Sequence, residues 1–144
     1  MLEFQQFDPS KLPLIKRFYK MYYPATKPKR DESIIVGLDK TEIIAVVRFR
    51  TVGSSRLLTG MAVKTEQRQQ TIGQQLLRYC QIEWLDQTTF CFAYSHLVDF
   101  YQHGGFTPVE PSALPTELET LYQRYLQSGK DLIPMQYQDK LCQE

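Results

Sequence analysis

The densest chemistry in this sequence lies in Leu57-Leu58-Thr59-Gly60-Met61-Ala62-Val63, the following Lys64 to Gln70, and the run that begins at Thr71. The first stretch reads as an apolar strand, the second as a turn and the third as a helix. A helix start carries unpaired N–H groups and a partial positive charge, which suit a phosphate. Thr71 and Gln74 fit an S/T-x-x-E/Q capping box, which puts the start close to Thr71. Gly73 in the first turn lacks a Cβ and lets a ligand approach the backbone. Alone, that pattern is weak, because most helices with an early glycine bind nothing.

Other reactive side chains are sparse. Cys80, Cys91 and Cys142 are odd in number and far apart, with no C-x-x-C pair. Buried free thiols in a reducing cytosol are the favoured expectation. His96 and His103 are too few for a zinc site without carboxylates, and no H-E-x-x-H occurs. No metal is expected.

The elements that must position these residues follow from pattern. Leu2 to Phe7 predicts a strand. Asp8-Pro9-Ser10 supplies helix-start chemistry, and Ile15, Phe18, Tyr19 and Tyr22 mark a helical face. Pro24 to Arg30 reads as a basic loop. Ser33 to Leu38, a turn near Asp39-Lys40, and Glu42 to Thr51 predict a hairpin. Val52 to Ser55 turns the chain into a strand from Arg56 to Val63. In the next helix Ile72, Leu76, Cys80 and Trp84 recur every four residues. A strand over Thr89 to Tyr94 and a short helix over His96 to His103 follow, the latter ended by Gly104-Gly105. Phe106 to Val109 predicts a strand. Thr116 with Glu119 suggests a second capping box, Leu118, Leu121, Tyr122 and Tyr125 a buried stripe, and Gly129 a stop. Leu132 to Tyr137 is the last strand, and Pro134 suggests an edge or a bulge. The order β-α-β-β-β-α-β-α-β-α-β implies a mixed sheet with helices packed on it.

Composition bounds the rest. The 144 residues suit one compact domain, 1–144, able to bury roughly 70% of its unfolded surface without disulfides or metal. Hydrophobic residues make up 42% and charged residues 23%, which is ordinary globular usage. Seventeen Lys+Arg against sixteen Asp+Glu give a net charge of +1, which argues against a dedicated nucleic-acid binder. MLEFQQFDPS lacks a basic and an apolar region, so no signal peptide is expected. Ile43 to Val47 is too short to span a bilayer. A cytoplasmic location without membrane contact is the expectation.

Arg68-Gln69-Gln70-Thr71-Ile72-Gly73 resembles the [QR]-x-x-G-x-[GA] acyl-CoA pyrophosphate loop of the GNAT N-acetyltransferase superfamily. Phe100-Tyr101-Gln102-His103-Gly104-Gly105-Phe106 resembles that family's F/Y-Y-x-x-x-G-F segment. The element order also matches. The resemblance covers most of the chain, and Leu57 to Phe106 is its specific part. It implies an α/β fold of the α+β type: a mixed, mostly antiparallel central sheet of about six to seven strands flanked by helices.

The resemblance further implies direct acetyl transfer from acetyl-CoA to a primary amine, without a covalent enzyme intermediate. The acceptor is a small-molecule or peptide amine, and the protein a monomer or homodimer. Backbone N–H groups around Met61-Ala62-Val63 would bind pantetheine amides and polarise the thioester carbonyl. Their side chains pack equally well as plain core. Gln69, Gln70, Ile72, Gly73 and Gln74 would turn N–H groups to the pyrophosphate. The family's first loop glycine is Thr71 here. Either its β-branch weakens cofactor binding, or it caps the helix and keeps the anion site; the second is favoured. Arg68 adds a charge-assisted contact or is a solvated loop charge.

Tyr101 matches the family tyrosine that protonates the leaving thiolate, and a phenol of pKa about 10 suits that task. Its alternative is an aromatic packed beneath the last strands. Ser95 stands where relatives contact the cofactor, or caps the next helix. The base is open among His96, Glu66 and water, since Leu57 to Val63 carries no carboxylate. Lys27-Pro28-Lys29-Arg30 could attract an acidic acceptor, but a solvated loop explains it as well. A rival reading is a domain of the same fold that binds acyl-CoA and catalyses nothing, with Thr71 and the missing carboxylate in its favour. A third is a protein-interaction domain using the helix from Thr116 to Ser128, a helix that also suits a dimer.

Overall fold

The computed structural model describes residues 2–29, 31–68 and 71–138. Its elements follow the expected order: β1 (Leu2–Gln6), α1 (Leu12–Tyr22), β2 (Ser33–Asp39), β3 (Glu42–Val52), β4 (Ser55–Val63), α2 (Ile72–Glu83), β5 (Thr89–Tyr94), α3 (Val98–His103), β6 (Phe106–Pro108), α4 (Thr116–Gln127) and β7 (Leu132–Tyr137). The strands form one seven-stranded sheet in the order β1-β2-β3-β4-β5-β7-β6. Strands β4 and β5 are joined through α2, the crossover that a parallel neighbour requires, so a mostly antiparallel sheet is mixed.

The chain divides into two compact units, residues 1–50 with 58–79 and residues 51–57 with 80–144. In the first, β2 pairs antiparallel with both β1 and β3. Asp8 caps a short 3-10 turn by accepting from the Ser10 N–H, which launches α1. The face of α1 predicted from spacing is the buried one: Ile15, Phe18 and Tyr19 pack with Ile34, Val36, Val46 and Ala62. Ile72, Leu76 and Leu77 are buried on α2, while Gln74 and Arg78 face solvent. Truncating a buried leucine such as Leu76 to alanine costs about 2–5 kcal/mol.

In the second unit, β7 pairs antiparallel with both β5 and β6. Leu118, Leu121 and Tyr122 of α4 pack with Leu57, Phe90 and Leu132, and the Tyr122 hydroxyl donates to the Leu132 carbonyl at 2.8 Å. Cys80 and Cys91 are buried free thiols, as expected; Cys142 lies outside the described residues. Gly105 follows α3 at φ +98, and a Cβ there would sit 2.7 Å from the Tyr137 ring. Glycine at this motif position is therefore required by both the backbone and its neighbour.

Two expectations fail here. Thr116 does not cap α4: it is the first helical residue, and Pro115, which holds the cap position, has no side-chain cap hydrogen bond to give. The Thr116 carbonyl instead accepts from the Thr120 hydroxyl. Pro134 lies at no edge, because β7 runs between β5 and β6. The Val109 N–H donates to the Pro134 carbonyl, so the missing Pro134 donor faces the β6 side, and β6 has already ended at Pro108. A proline is tolerated where the ladder stops.

Candidate functional site

Strand β4 changes character at Gly60. Its φ of +66 departs from extended geometry, and an added Cβ would meet Arg48 Nε and Tyr19 Oη, each at 2.8 Å. Only glycine combines that φ with that approach. The Tyr19 hydroxyl donates to the Gly60 carbonyl at 2.6 Å. The Arg48 guanidinium lies 5.0 Å from the centre of the Tyr19 ring. It also donates through Nη2 to the Thr26 hydroxyl and pairs with the buried Glu32 at 3.4 Å. Among the described residues, Arg48 Nε and Nη1 are buried and have no hydrogen-bond partner. Burial pushes the Tyr19 phenol well above its ordinary value, with the Arg48 charge pulling the other way. Tyr19 therefore stays protonated and acts as a donor.

Sequence reasoning did not find this polar cluster. Its signals were present in Arg48, a charge inside the apolar run Ile43 to Phe49, and in Gly60, a glycine inside an apolar strand.

Beyond Gly60, Ala62 is buried and Met61 and Val63 are half-buried. The chain leaves β4 through Lys64, whose N–H donates to the Ile44 carbonyl of β3. The Lys64 ammonium pairs with Glu42 and, at 3.6 Å, with the exposed Glu66. A short 3-10 turn, Thr65–Gln67, leads to Arg68. Arg68 is exposed, yet its Nε donates to the Val63 carbonyl and its Nη2 to the Tyr22 carbonyl, both at 2.9 Å. It is thus neither a freely solvated charge nor an uncommitted one. Its guanidinium ties the loop to the end of β4 and to the C-terminal turn of α1, where a cation complements the helix dipole.

Gln69 and Gln70 lie outside the described residues. Thr71 corrects the capping expectation. Its φ is +55, the left-handed region, whereas a capping-box threonine is extended. Its hydroxyl accepts from the Gln75 side-chain amide at 3.1 Å. The first helical rung runs from the Gln75 N–H to the Thr71 carbonyl at 3.0 Å, so the N–H groups of Ile72, Gly73 and Gln74 precede the ladder. These three N–H groups therefore stand free of the helical ladder even though Thr71 does not cap the helix.

In the second unit, Tyr101 is buried in α3, its ring packed edge-on against Phe100 and Phe106. Ser95 does not cap the next helix. It lies in a 3-10 turn, Ser95–Leu97, and its hydroxyl donates to Asp131 Oδ2 at 2.6 Å. His96 is exposed and stacks on Tyr94 at 6.0 Å. In the basic loop Lys27 and Lys29 are exposed and Pro28 is buried, while Arg30 lies outside the described residues. Among the described residues, no His, Cys, Asp and Glu cluster could hold a metal ion, and no helix is long and apolar enough to cross a membrane.

The profile of the acetyltransferase (GNAT) domain matches residues 30–108, more than half of the chain. The chain belongs to the GNAT acetyltransferase family. N-acetylglutamate synthase from Neisseria gonorrhoeae, solved with coenzyme A and N-acetyl-glutamate, superposes with a TM-score of 0.68 at 13% identity over 95% of this chain and 35% of that one. The present chain thus spans about a third of that relative. The ribosomal-protein-S18-alanine N-acetyltransferase of Escherichia coli gives 0.67 at 13% identity, over 95% of this chain and 93% of that one. ElaA of Escherichia coli gives 0.62 at 22% identity, over 96% and 100%. At these identities the likeness is one of GNAT fold. No curated protein sequence matches this one.

Proposed function

We propose that this GNAT protein transfers an acetyl group from acetyl-CoA to a primary amine by direct attack. The observation that carries the reading is the start of α2. Three N–H groups, of Ile72, Gly73 and Gln74, stand ahead of the helical ladder and follow a loop tied down by Arg68. That arrangement fits a pyrophosphate, whose charge such groups stabilise at little reorganisation cost. Gln69, Gln70 and Thr71 complete the loop in this reading. Backbone groups of Met61, Ala62 and Val63 hold the pantetheine amides and polarise the thioester carbonyl. Ser95 contributes to the donor site through its polar pairing with Asp131. Tyr101 donates a proton to the departing thiolate. The amine loses its proton to His96, to Glu66 or to water; the Glu66 carboxylate already pairs with the Lys64 ammonium at 3.6 Å.

Residues 1–144 act as one domain in this reading, which gains support from β4 and α2 each having residues in both compact units. A single transition in chemical unfolding, followed by both far-UV signal and Trp84 fluorescence, is the expected result. The protein works in the cytoplasm on a small-molecule or peptide amine.

Calorimetric titration with acetyl-CoA and coenzyme A, followed by a thiol-release assay over an amine panel, tests the proposal. Binding with turnover supports it. No binding of either ligand overturns it. Binding without turnover on any amine would favour a second reading, a regulatory acyl-CoA-binding domain. Two features speak for that rival: Thr71 in the glycine position, and a β4 without a carboxylate.

A further inference from the structure

We infer that Tyr19 is a positioning residue for the reaction, acting through the Gly60–Met61 peptide. The inference rests on the reading of Met61 as a donor to the thioester carbonyl. The Gly60 carbonyl and the Met61 N–H belong to one peptide plane, and among the described residues every peptide bond is trans, so the two groups point in opposite directions. A carbonyl held by the Tyr19 hydroxyl at 2.6 Å fixes where that N–H points.

The strand gives the same direction independently. The Lys64 N–H turns toward β3, where it meets the Ile44 carbonyl. Backbone groups alternate along a strand, so the Met61 and Val63 N–H groups turn away from β3. The Val63 carbonyl, on that same side, accepts from Arg68. The Gly60 carbonyl accordingly faces the β3 side, where Tyr19 and Arg48 stand.

Tyr19 is itself held. Ile15 and Phe18 flank it in the core, Arg48 lies over its ring, and Glu32 and Thr26 hold Arg48. The missing Cβ of Gly60 leaves room for both side chains. A donor bound to an amide oxygen also draws charge from the amide nitrogen and makes its N–H a stronger donor. Tyr19 thus both aims and polarises the Met61 N–H.

The test is the infrared carbonyl stretch of bound, isotopically labelled acetyl-CoA, read together with steady-state kinetics. In the native protein the stretch lies below its value in free acetyl-CoA. In Tyr19→Phe it returns toward the free value, kcat falls about tenfold, and KM and acetyl-CoA affinity stay within about twofold. A site-specific Tyr19→3-fluorotyrosine variant keeps the ring and strengthens the donor, so its stretch moves further from the free value. This second variant decides the matter if Tyr19→Phe fails to fold. An equal stretch in the native protein and both variants, with kcat unchanged, overturns the role of Tyr19 and leaves the site reading intact. An unshifted stretch in native protein that binds acetyl-CoA overturns the site reading, and the role of Tyr19 with it.

Discussion

Replacing Thr71 with glycine tests the link between loop geometry and the helix start. Thr71 is held at φ +55, where an L-residue pays about 1–2 kcal/mol because its Cβ crowds the following carbonyl. Glycine removes that strain. Against it stand the lost hydroxyl contact with Gln75, which is exposed and contributes about 0.5 kcal/mol, and the added freedom of an unfolded glycine, about 0.5 kcal/mol. The balance is a gain of about 0–1 kcal/mol, or at most roughly 3 °C in Tm for a chain of this size. Thr71→Val keeps the branched Cβ and loses the hydroxyl, so it falls by about 0.5 kcal/mol. Urea unfolding of the three proteins, with midpoints compared at constant slope, measures both differences. Calorimetry with acetyl-CoA should give an affinity equal to or tighter than that of the native protein, because glycine opens the backbone further. A Thr71→Gly protein less stable than its parent would refute the strained-loop argument.

Gly60→Ala places a Cβ 2.8 Å from both Arg48 Nε and Tyr19 Oη at a positive φ, and should cost on the order of 2–4 kcal/mol in denaturant unfolding. Glu32→Ala leaves the buried Arg48 without its counter-charge and should cost about 3–5 kcal/mol by the same measurement. Tyr101→Phe should lower turnover while keeping acetyl-CoA affinity, and unchanged turnover would remove Tyr101 as the acid. Burial pushes the Cys80 thiol from its ordinary 9.0 up to about 12 and raises Cys91 by the same cause. A pKa raised on folding gives stability that is full below the unfolded value and lost as pH rises through the folded one. Unfolding free energy should therefore decline above about pH 9, and a flat profile from there to pH 11 would count against this.

The element order was legible because each element carries a local signal. Asp8 before Pro9, four-residue spacing along α2, and Gly105 after α3 are short-range features, and short-range sterics decide them. Motif reading singled out the loop at Arg68 to Gly73 and the segment around Tyr101, both within the residues that the GNAT domain matches. It failed where a residue type permits more than one geometry. Thr71 and Thr116 both read as caps, yet one adopts a left-handed conformation and the other becomes the first residue of its helix. Pro134 signalled a missing donor correctly, but the register of β7 decided that it faces β6, and the end of β6 at Pro108 leaves no ladder there to break.

The sequence by itself determined the order of strands and helices, the apolar faces, the family motifs and the near-neutral charge that leaves any anion site to local backbone. Each of these is set by neighbours in the chain. The tertiary structure alone decided that Tyr19, Arg48, Glu32 and Gly60 form one buried polar cluster, and that Arg68 is tied to two carbonyls. Tyr19 and Gly60 stand 41 residues apart. Buried polar groups must find partners wherever the fold brings them, so only the packing of α1 against β3 and β4 could name them.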